Sequence, residues 1–310
     1  MELRQLRYFL SVSDAGSLLK ASSRLHIAQP ALGQQISALE EELGVRLFSR
    51  STRGMSLTSE GRVFLEHAKV VLADVDRAKE AVRHSAGDPH GQVVLGLPTT
   101  VALAATVPIV QACRERYPSI QLQVIEAYSG FLREWLQMGR LDLALIFGDE
   151  PDPDLLKRVL LEERLALITA PGKASLPTSI RMRQLVGREL VLPGKEHGLR
   201  KIIDHVCEQQ KIQLSVVAEI DSLTSVKKAV SAGIGQTILS QSSVIEEVES
   251  GQLLASTISD ASMMRRVVCA TSIARPTTQA SAAVIGLVTD LIRGLVGSGA
   301  WPAKWIGEVR

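Results

Sequence analysis

The stretch that most constrains this chain is residues 17–43, SLLKASSRLHIAQPALGQQISALEEEL. It reads as two short helices around a tight turn. Leu32, Ile36, Leu39 and Leu43 fall at i, i+4, i+7 and i+11, which is one stripe of an α-helix. Pro30 suits the start of that helix, where a missing N–H costs nothing. Gln29, Pro30, Gly33, Gln34 and Ser37 lie on the other side and include no carboxylate. Neutral amides and hydroxyls on one helix face suit the major groove of DNA, where each base pair shows its own pattern of donors and acceptors. The expectation is that Leu32, Ile36 and Leu39 hold the helix on the protein while Gln34 and its neighbours read bases.

Charge placement supports this reading better than net charge, which is only +2 over 310 residues. Residues 15–39 contain no Asp or Glu but include Lys20 and Arg24. Residues 43–59 are again acid-free and include Arg46, Arg50 and Arg53. Two basic windows in a near-neutral chain predict a local phosphate-facing surface, although a solvated basic face would give the same pattern. The length suits two or three domains with ordinary cores. No run of 18 apolar residues appears, and Met1 is followed by a charged amphipathic helix. The expectation is therefore no membrane span and no secretory signal. Cys113, Cys207 and Cys269 are widely spaced and form no CxxC, which favours a reducing cytoplasm and free thiols.

In chain order, residues 2–14 form a helix with Leu6, Phe9 and Leu10 in the core, and Gly16 stops it. Ser17 caps the next helix, where Leu18, Ala21 and Leu25 pack inward and Ser17, Lys20 and Arg24 remain for phosphates. Gly44 ends the third helix. Residues 47–50 and 55–58 predict two short strands about a tip at Thr52-Arg53-Gly54, a β-wing whose Arg53 can reach a minor groove or phosphate. Phe48 is expected to fill the core. Thr58 caps a helix reaching about residue 86, some 40 Å long. Phe64, Ala68, Val71, Val75, Ala78 and Val82 form a heptad seam on it. We read that seam as pairing with the same helix of a second subunit, which suits an inverted-repeat operator. The alternative is that it packs on the domain downstream.

Residues 87–91, GDPHG, are a hinge by composition. Strands and helices then alternate: strands at 92–97, 120–126, 143–147, 165–169, 189–192, 216–220, 236–239 and 267–271. Helices are expected at 100–116, 130–138, 182–186, 199–211, 222–232 and 279–296. Such alternation predicts parallel, helix-covered sheets. The restart near Ala170-Pro171-Gly172 predicts two α/β lobes with a ligand cleft between them. The expected division is 1–57 for a winged helix-turn-helix domain and 58–87 for a linker helix. Residues 88–167 with 268–310 form the first lobe, and 168–267 the second.

The segments LRYFLSVSDAGSLLKAS, LHIAQPALGQQISALEEELGVRLFSR and TRGMSLTSEG resemble the LysR-type transcriptional regulators, and the two-lobed remainder is similar to that family's effector domain. Within the family the chain looks nearest the nitrogen-assimilation-control-like branch. The resemblance implies a winged helix-turn-helix regulator, dimeric through the linker helix and often tetrameric. A small molecule would bind between periplasmic-binding-protein-like lobes and alter contact with an interrupted inverted repeat in double-stranded DNA. RNA polymerase is a further candidate partner. Carried over, Gln29, Pro30, Ala31 and Gln34 match base-facing positions, Arg50 and Arg53 the basic wing, and Thr58 the linker-helix cap. The chain departs from the pattern at Ala28 and Gly33, where the family usually has serines. Losing an N-cap hydroxyl at Ala28 typically costs about 1 kcal/mol. For the effector, Thr99 and Thr100 follow the first strand of the α/β part and open a helix, and Ser129 opens the next. Gly194 and His197 lie in a loop before a helix that carries Arg200, and Ser222 caps another. Several helix N-termini facing one cleft imply a small anionic effector, although ordinary capping would place the same residues at these positions.

Other signals carry less. Gly233-Ile234-Gly235 follows a helix and precedes a strand, the wrong order for a dinucleotide site. His197, His205 and Cys207 lack metal-ligand spacing. No nucleophile elbow, Walker lysine or acid/base pair is visible, so neither an enzyme nor a cofactor is expected. A periplasmic solute-binding protein would share the two lobes, but neither the basic wing nor a start without a signal peptide. Trp301 and Trp305, in a tail unusual for the family, have two destinations, the chain's own body or another subunit.

Overall fold

The apolar stripes of three short helices converge on Phe9. The computed structural model describes residues 1–51, 54–83, 88–172 and 176–307, and of residues 50, 51 and 80–83 only the backbone. The chain divides into two units, Met1–Gly87 and Asp88–Arg310.

In the first unit α1 (Leu3–Ala15) stops at Gly16, and α2 (Leu18–Leu25) ends at His26 in the left-handed region, φ 53°. Next come α3 (Gln29–Leu43), the antiparallel pair β1 (Phe48–Ser51) and β2 (Gly54–Leu57), and α4 (Ser59–Arg83). The core takes Leu6, Phe9, Val12, Ala21, Leu32, Ile36, Leu39, Leu47 and Phe48. The Phe9 ring centroid lies 5.1 Å from that of Phe48 and 4.9 Å from that of Phe64. Each large side chain so buried contributes about 1.5–3 kcal/mol. Leu43 is 37% exposed, so the stripe on α3 ends at Leu39.

Two polar groups fasten the wing. Glu40 is buried, and its Oε1 accepts from the backbone N–H groups of Leu47 at 2.8 Å and Phe48 at 3.0 Å. Its Oε2 accepts from Arg46 at 3.0 Å. Thr58 Oγ1 accepts from Gly61 N at 2.9 Å and donates to Arg46 O at 2.7 Å, so it caps α4 and holds the segment leading into β1. Gly61 is required for this approach, because a Cβ there would lie 2.0 Å from the Leu47 carbonyl oxygen.

The heptad seam on α4 needs one correction. Phe64 and Ala68, its first two members, pack into the first unit's own core together with Leu65 and Leu72. A helix leaving a small domain must first cover that domain. Val71 is 39% exposed, and Val71, Val75 and Ala78 lie outside that core. The Val82 side chain lies outside the described residues.

The second unit begins with β3 (Gly91–Leu97), α5 (Thr99–Arg116), β4 (Ile120–Glu126), α6 (Ser129–Gln137) and β5 (Leu143–Phe147). A fifteen-residue strand, β6 (Leu155–Thr169), follows, and after it β7 (Ser179–Ile180), β8 (Glu189–Leu192), α7 (Gly198–Gln210), β9 (Ser215–Glu219), α8 (Leu223–Ser231) and β10 (Thr237–Ser240). The chain closes with α9 (Ile245–Glu249), β11 (Leu254–Ile258), β12 (Met264–Ser272), α10 (Gln279–Gly297) and β13 (Lys304–Trp305). The expected helix at 182–186 is a single 3-10 turn, Met182–Leu185.

The expectation of purely parallel sheets is corrected. β4, β3 and β5 are parallel, but β12 pairs antiparallel with both β5 and β6. β6 also begins ten residues before the expected 165, because Lys157, Arg158, Glu162 and Arg164 mask its alternation. β10 and β11 pair antiparallel with the far end of β6, and β8 and β9 form a separate parallel pair.

One lobe core gathers Leu95, Val101, Ile109, Leu145, Leu161, Val267, Val284, Val288 and Trp301. The other runs from Leu165 to Met263 and includes Leu190, Ile203, Val226 and Leu253. The chain therefore passes between lobes inside β6 and β12, with a register shift in β12 at Val267/Val268. α10 is 19 residues long with a mean hydropathy of 1.5, enough by length and composition to cross a membrane, but it buries Val284, Leu287, Val288 and Ile292 in the first lobe.

Both tryptophans of the tail fold onto the chain's own body. Trp301 is 1% exposed and donates from Nε1 to Glu163 Oε2 at 2.9 Å, and β13 pairs antiparallel with β6 at Leu161 and Glu162. All three cysteines are free thiols. Burial pushes the Cys269 thiol up to about 12.

Candidate DNA-reading face and effector cleft

On α3 the three anchors Leu32, Ile36 and Leu39 are buried, and Gln29, Pro30, Ala31, Gln34 and Ser37 are exposed on the opposite face. Ala28 occupies the N-cap and provides no side-chain bond. The backbone N–H groups of the first turn, together with the positive end of the helix dipole, are thus available to an outside acceptor. Lys20 and Arg24 are exposed on α2 and form no ion pair among the described residues, and Ser17 is half-buried, its hydroxyl accepting from Lys20 N at 3.5 Å. Arg50 lies on β1, and Arg53 at the wing tip lies outside the described residues. An amide-bearing helix face flanked by free cations can hydrogen-bond base edges and neutralise phosphates.

In the second unit a cleft of about 390 Å³ is lined by Thr99, Glu126, Tyr128, Phe131, Asp221 and Ser222, among others. It lies at the carboxyl ends of β3 and β4 in one lobe and at the end of β9 and start of α8 in the other. Ligands of open α/β sheets bind at such strand ends. Of the six expected effector residues, Thr99 and Ser222 line it. Ser222 also caps α8, accepting from Ser225 N at 3.4 Å.

The other four do not line it, and each has a polar atom engaged by a neighbouring residue. Thr100 Oγ1 accepts from Arg265 Nη2 at 2.9 Å. Ser129 Oγ accepts from Phe147 N at 3.1 Å. Gly194 N donates to Asp221 Oδ1 at 2.9 Å. His197 Nδ1 caps α7, accepting from Leu199 N at 3.1 Å, and the ring meets Tyr128 edge-on at 4.9 Å. Burial, then the Arg265 charge, holds the His197 pKa below its ordinary 6.5, against an opposing pull from Asp221. Burial and the Asp221 carboxylate raise the Tyr128 phenol, which stays protonated near neutral pH.

Glu126, Tyr128, Phe131 and Asp221 were not expected from the sequence. The only signal for them is position, just beyond the ends of β4 and β9, and it becomes usable once both lobes are placed.

The fold and these two surfaces define a winged helix-turn-helix regulator with a two-lobed α/β sensor. Residues 3–62 match the model of the bacterial regulatory helix-turn-helix protein, lysR family, and residues 86–293 match the LysR substrate binding domain. The chain belongs to the LysR family, whose members are DNA-binding transcriptional regulators rather than enzymes and carry an effector-binding domain. It is similar to the nitrogen assimilation regulatory protein nac of Klebsiella aerogenes, 32% identical over 246 residues, covering 78% of this chain and 79% of the relative. It is also similar to the HTH-type transcriptional regulator BbuR of Bordetella bronchiseptica, 31% identical over 96% of this chain and 92% of the relative. Among solved structures, CbnR in complex with its target DNA superposes with a TM-score of 0.69 at 22% identity, covering 95% of this chain and 99% of that one. Full-length OxyR from Pseudomonas aeruginosa gives 0.68 at 24%, covering 94% and 95%. These two likenesses support the fold.

Proposed function

We propose that the protein is a cytoplasmic, sequence-specific regulator that reads an interrupted inverted repeat in double-stranded DNA under control of a small molecule bound between its two α/β lobes. The observation that carries this reading is the exposed, carboxylate-free face of α3, with buried Leu32, Ile36 and Leu39 behind it and exposed Lys20 and Arg24 on the helix before it. Gln29, Pro30, Ala31 and Gln34 face bases. Ser17, Lys20, Arg24, Arg50 and Arg53 face the backbone. Residues 1–57 form the reader and 58–87 the linker helix. The lobes expected at 88–167 with 268–310 and at 168–267 divide a few residues earlier on each strand, since Leu165, Ala166 and Leu167 pack in the second lobe's core and Val267 in the first's.

The linker helix makes a homodimer through Val71, Val75 and Ala78, and dimers pair into a tetramer. RNA polymerase is the further partner. Thr99 and Ser222, at the N-termini of α5 and α8, receive the effector's carboxylate, while Thr100, Ser129, Gly194 and His197 shape the cleft around them.

A mobility-shift titration of the full chain on the DNA upstream of its own gene, repeated over a salt series, tests the reading. The expected result is a steep fall of log K with log salt and preference over random DNA. A slope near zero, or no preference, overturns it.

A further inference from the structure

The charges around the cleft restrict what it can hold. Glu126 ends β4 on one lobe and is exposed, and its carboxylate has no hydrogen bond or ion pair among the described residues. Asp221 stands on the other lobe. Its Oδ1 is held by Gly194 N, which leaves Oδ2 for a ligand. Among the described residues that line the cleft there is no Lys, Arg or His.

Three basic side chains near the lining residues are engaged by the fold or held neutral. Arg265 is buried, bonds Glu163 Oε1 at 2.5 Å, Thr100 and Ser240 at 2.9 Å, and lies 3.7 Å over the Phe147 ring. Arg200 is buried between Asp204 and Glu219, each at 2.9 Å. His197 is biased towards its neutral form.

A ligand carrying only negative charge would thus meet two carboxylates and no basic side chain among the described residues that line the cleft. The helix N-termini at Thr99 and Ser222 nevertheless favour one carboxylate. Tyr128 and Phe131 are stacked at 6.5 Å with 23° between their planes, and an aromatic face attracts an ammonium group. Negative side chains on both walls, an aromatic wall between them and two helix N-termini call for both signs of charge in one molecule.

We propose that the effector is a zwitterion of the α-amino acid kind. Its ammonium group sits between Glu126 and Asp221 against the Tyr128 ring, and its carboxylate takes the free N–H groups that open α5 and α8. This rests on reading the cleft as the effector site, and it narrows the anionic effector implied by the sequence to one that also carries a positive charge.

The test is calorimetric titration of the full chain with each proteinogenic amino acid and with the 2-oxo acid of the same side chain, which keeps the carboxylate and replaces the ammonium group with a ketone. At least one amino acid is expected to bind, its 2-oxo partner about tenfold or more weakly. Glu126→Gln, a change at an exposed position, is expected to weaken the amino acid by a similar factor and to strengthen the 2-oxo acid, whose carboxylate then meets one negative side chain fewer. Three results would overturn the proposal: a 2-oxo acid binding as tightly as its amino acid, an amino acid indifferent to Glu126→Gln, or no amino acid binding to protein that still shifts its DNA. Loss of the DNA shift would refute the regulator reading instead, so the two failures are distinct.

Discussion

Replacing Glu40 tests how the reader helix and the wing are held together. Glu40→Ala removes the acceptor for Leu47 N at 2.8 Å and Phe48 N at 3.0 Å, and strands two backbone donors in a region where Leu47 and Phe48 are themselves buried. A hydrogen bond to a charged group contributes about 1.5–3 kcal/mol, and an unsatisfied buried donor costs about 1–3 kcal/mol. The two donors together therefore set a loss of about 3–6 kcal/mol, a large fraction of the roughly 5–15 kcal/mol of a whole domain. The Arg46 contact adds little, because that guanidinium is 76% exposed. Glu40→Gln keeps one amide oxygen facing Leu47 and Phe48 and should lose about half as much. The assay is urea unfolding of the full chain followed by far-UV circular dichroism, with a mobility shift at a concentration where the variant is folded. We expect a lower midpoint for the first transition and weaker DNA binding, because the wing start is no longer tied to α3. A midpoint change equivalent to less than about 1 kcal/mol would refute the assignment of Glu40 as a structural acceptor.

Four further changes follow from the same coordinates. Gln34→Ala should weaken binding to the cognate site by about 1–3 kcal/mol if the amide makes a bidentate base contact, and leave random DNA almost untouched. Equal losses on both would place Gln34 on the backbone. Val75→Asp should give monomers in sedimentation, and an unchanged mass would count against dimerisation through α4. His197→Asn should flatten the pH dependence of the second unit's melting temperature. The folded-state pKa is depressed, so stability is fully present above the ordinary 6.5 and is lost as pH falls from there towards the folded value. Asn keeps an acceptor for Leu199 N without titrating, and a slope as steep as that of the unsubstituted protein would disprove this origin. Trp301→Phe removes the donor to Glu163, at a cost of about 1.5–3 kcal/mol in thermal unfolding, to which the void left by the smaller ring adds. A change smaller than the error of the scan would show the bond to be dispensable.

The first unit was legible because its signals are local. The spacing of Leu32, Ile36 and Leu39, the cap at Ser17 and the glycine stop at Gly44 each act within one or two turns of helix. What was not legible there depends on distant partners. Glu40 opens an acidic run and reads as solvated until β1 is brought against it, and Phe64 and Ala68 look like a seam until α1 is placed beside them. The second unit hides more. Charged residues disguise the first two-thirds of β6, because their aliphatic stems and paired heads are accommodated only where β12 runs alongside. The cleft divides the same way. Thr99 and Ser222 were readable as helix starts, whereas Glu126, Tyr128 and Asp221 acquire meaning only when strands far apart in sequence end at one place.

The tail and the cleft meet at one buried ion pair. Glu163 on β6 and Arg265 on β12 sit where both strands pass between the lobes, and their side chains are 1% and 4% exposed. Such a pair does not stabilise a fold by itself, since desolvating both charges offsets their attraction. It persists here because the remaining polar atoms are served: Glu163 Oε2 takes Ser242 and Trp301, and Arg265 Nη2 reaches Ser240 and Thr100. Ser240 and Ser242 belong to one lobe, Thr100 and Trp301 to the other. Thr100 is also the immediate neighbour of Thr99 in the cleft. A carboxylate settling on the first turn of α5 is therefore one hydrogen bond away from the residues that join the lobes. Each lobe has its own apolar core, so an adjustment at the crossing can turn one lobe against the other without disturbing either.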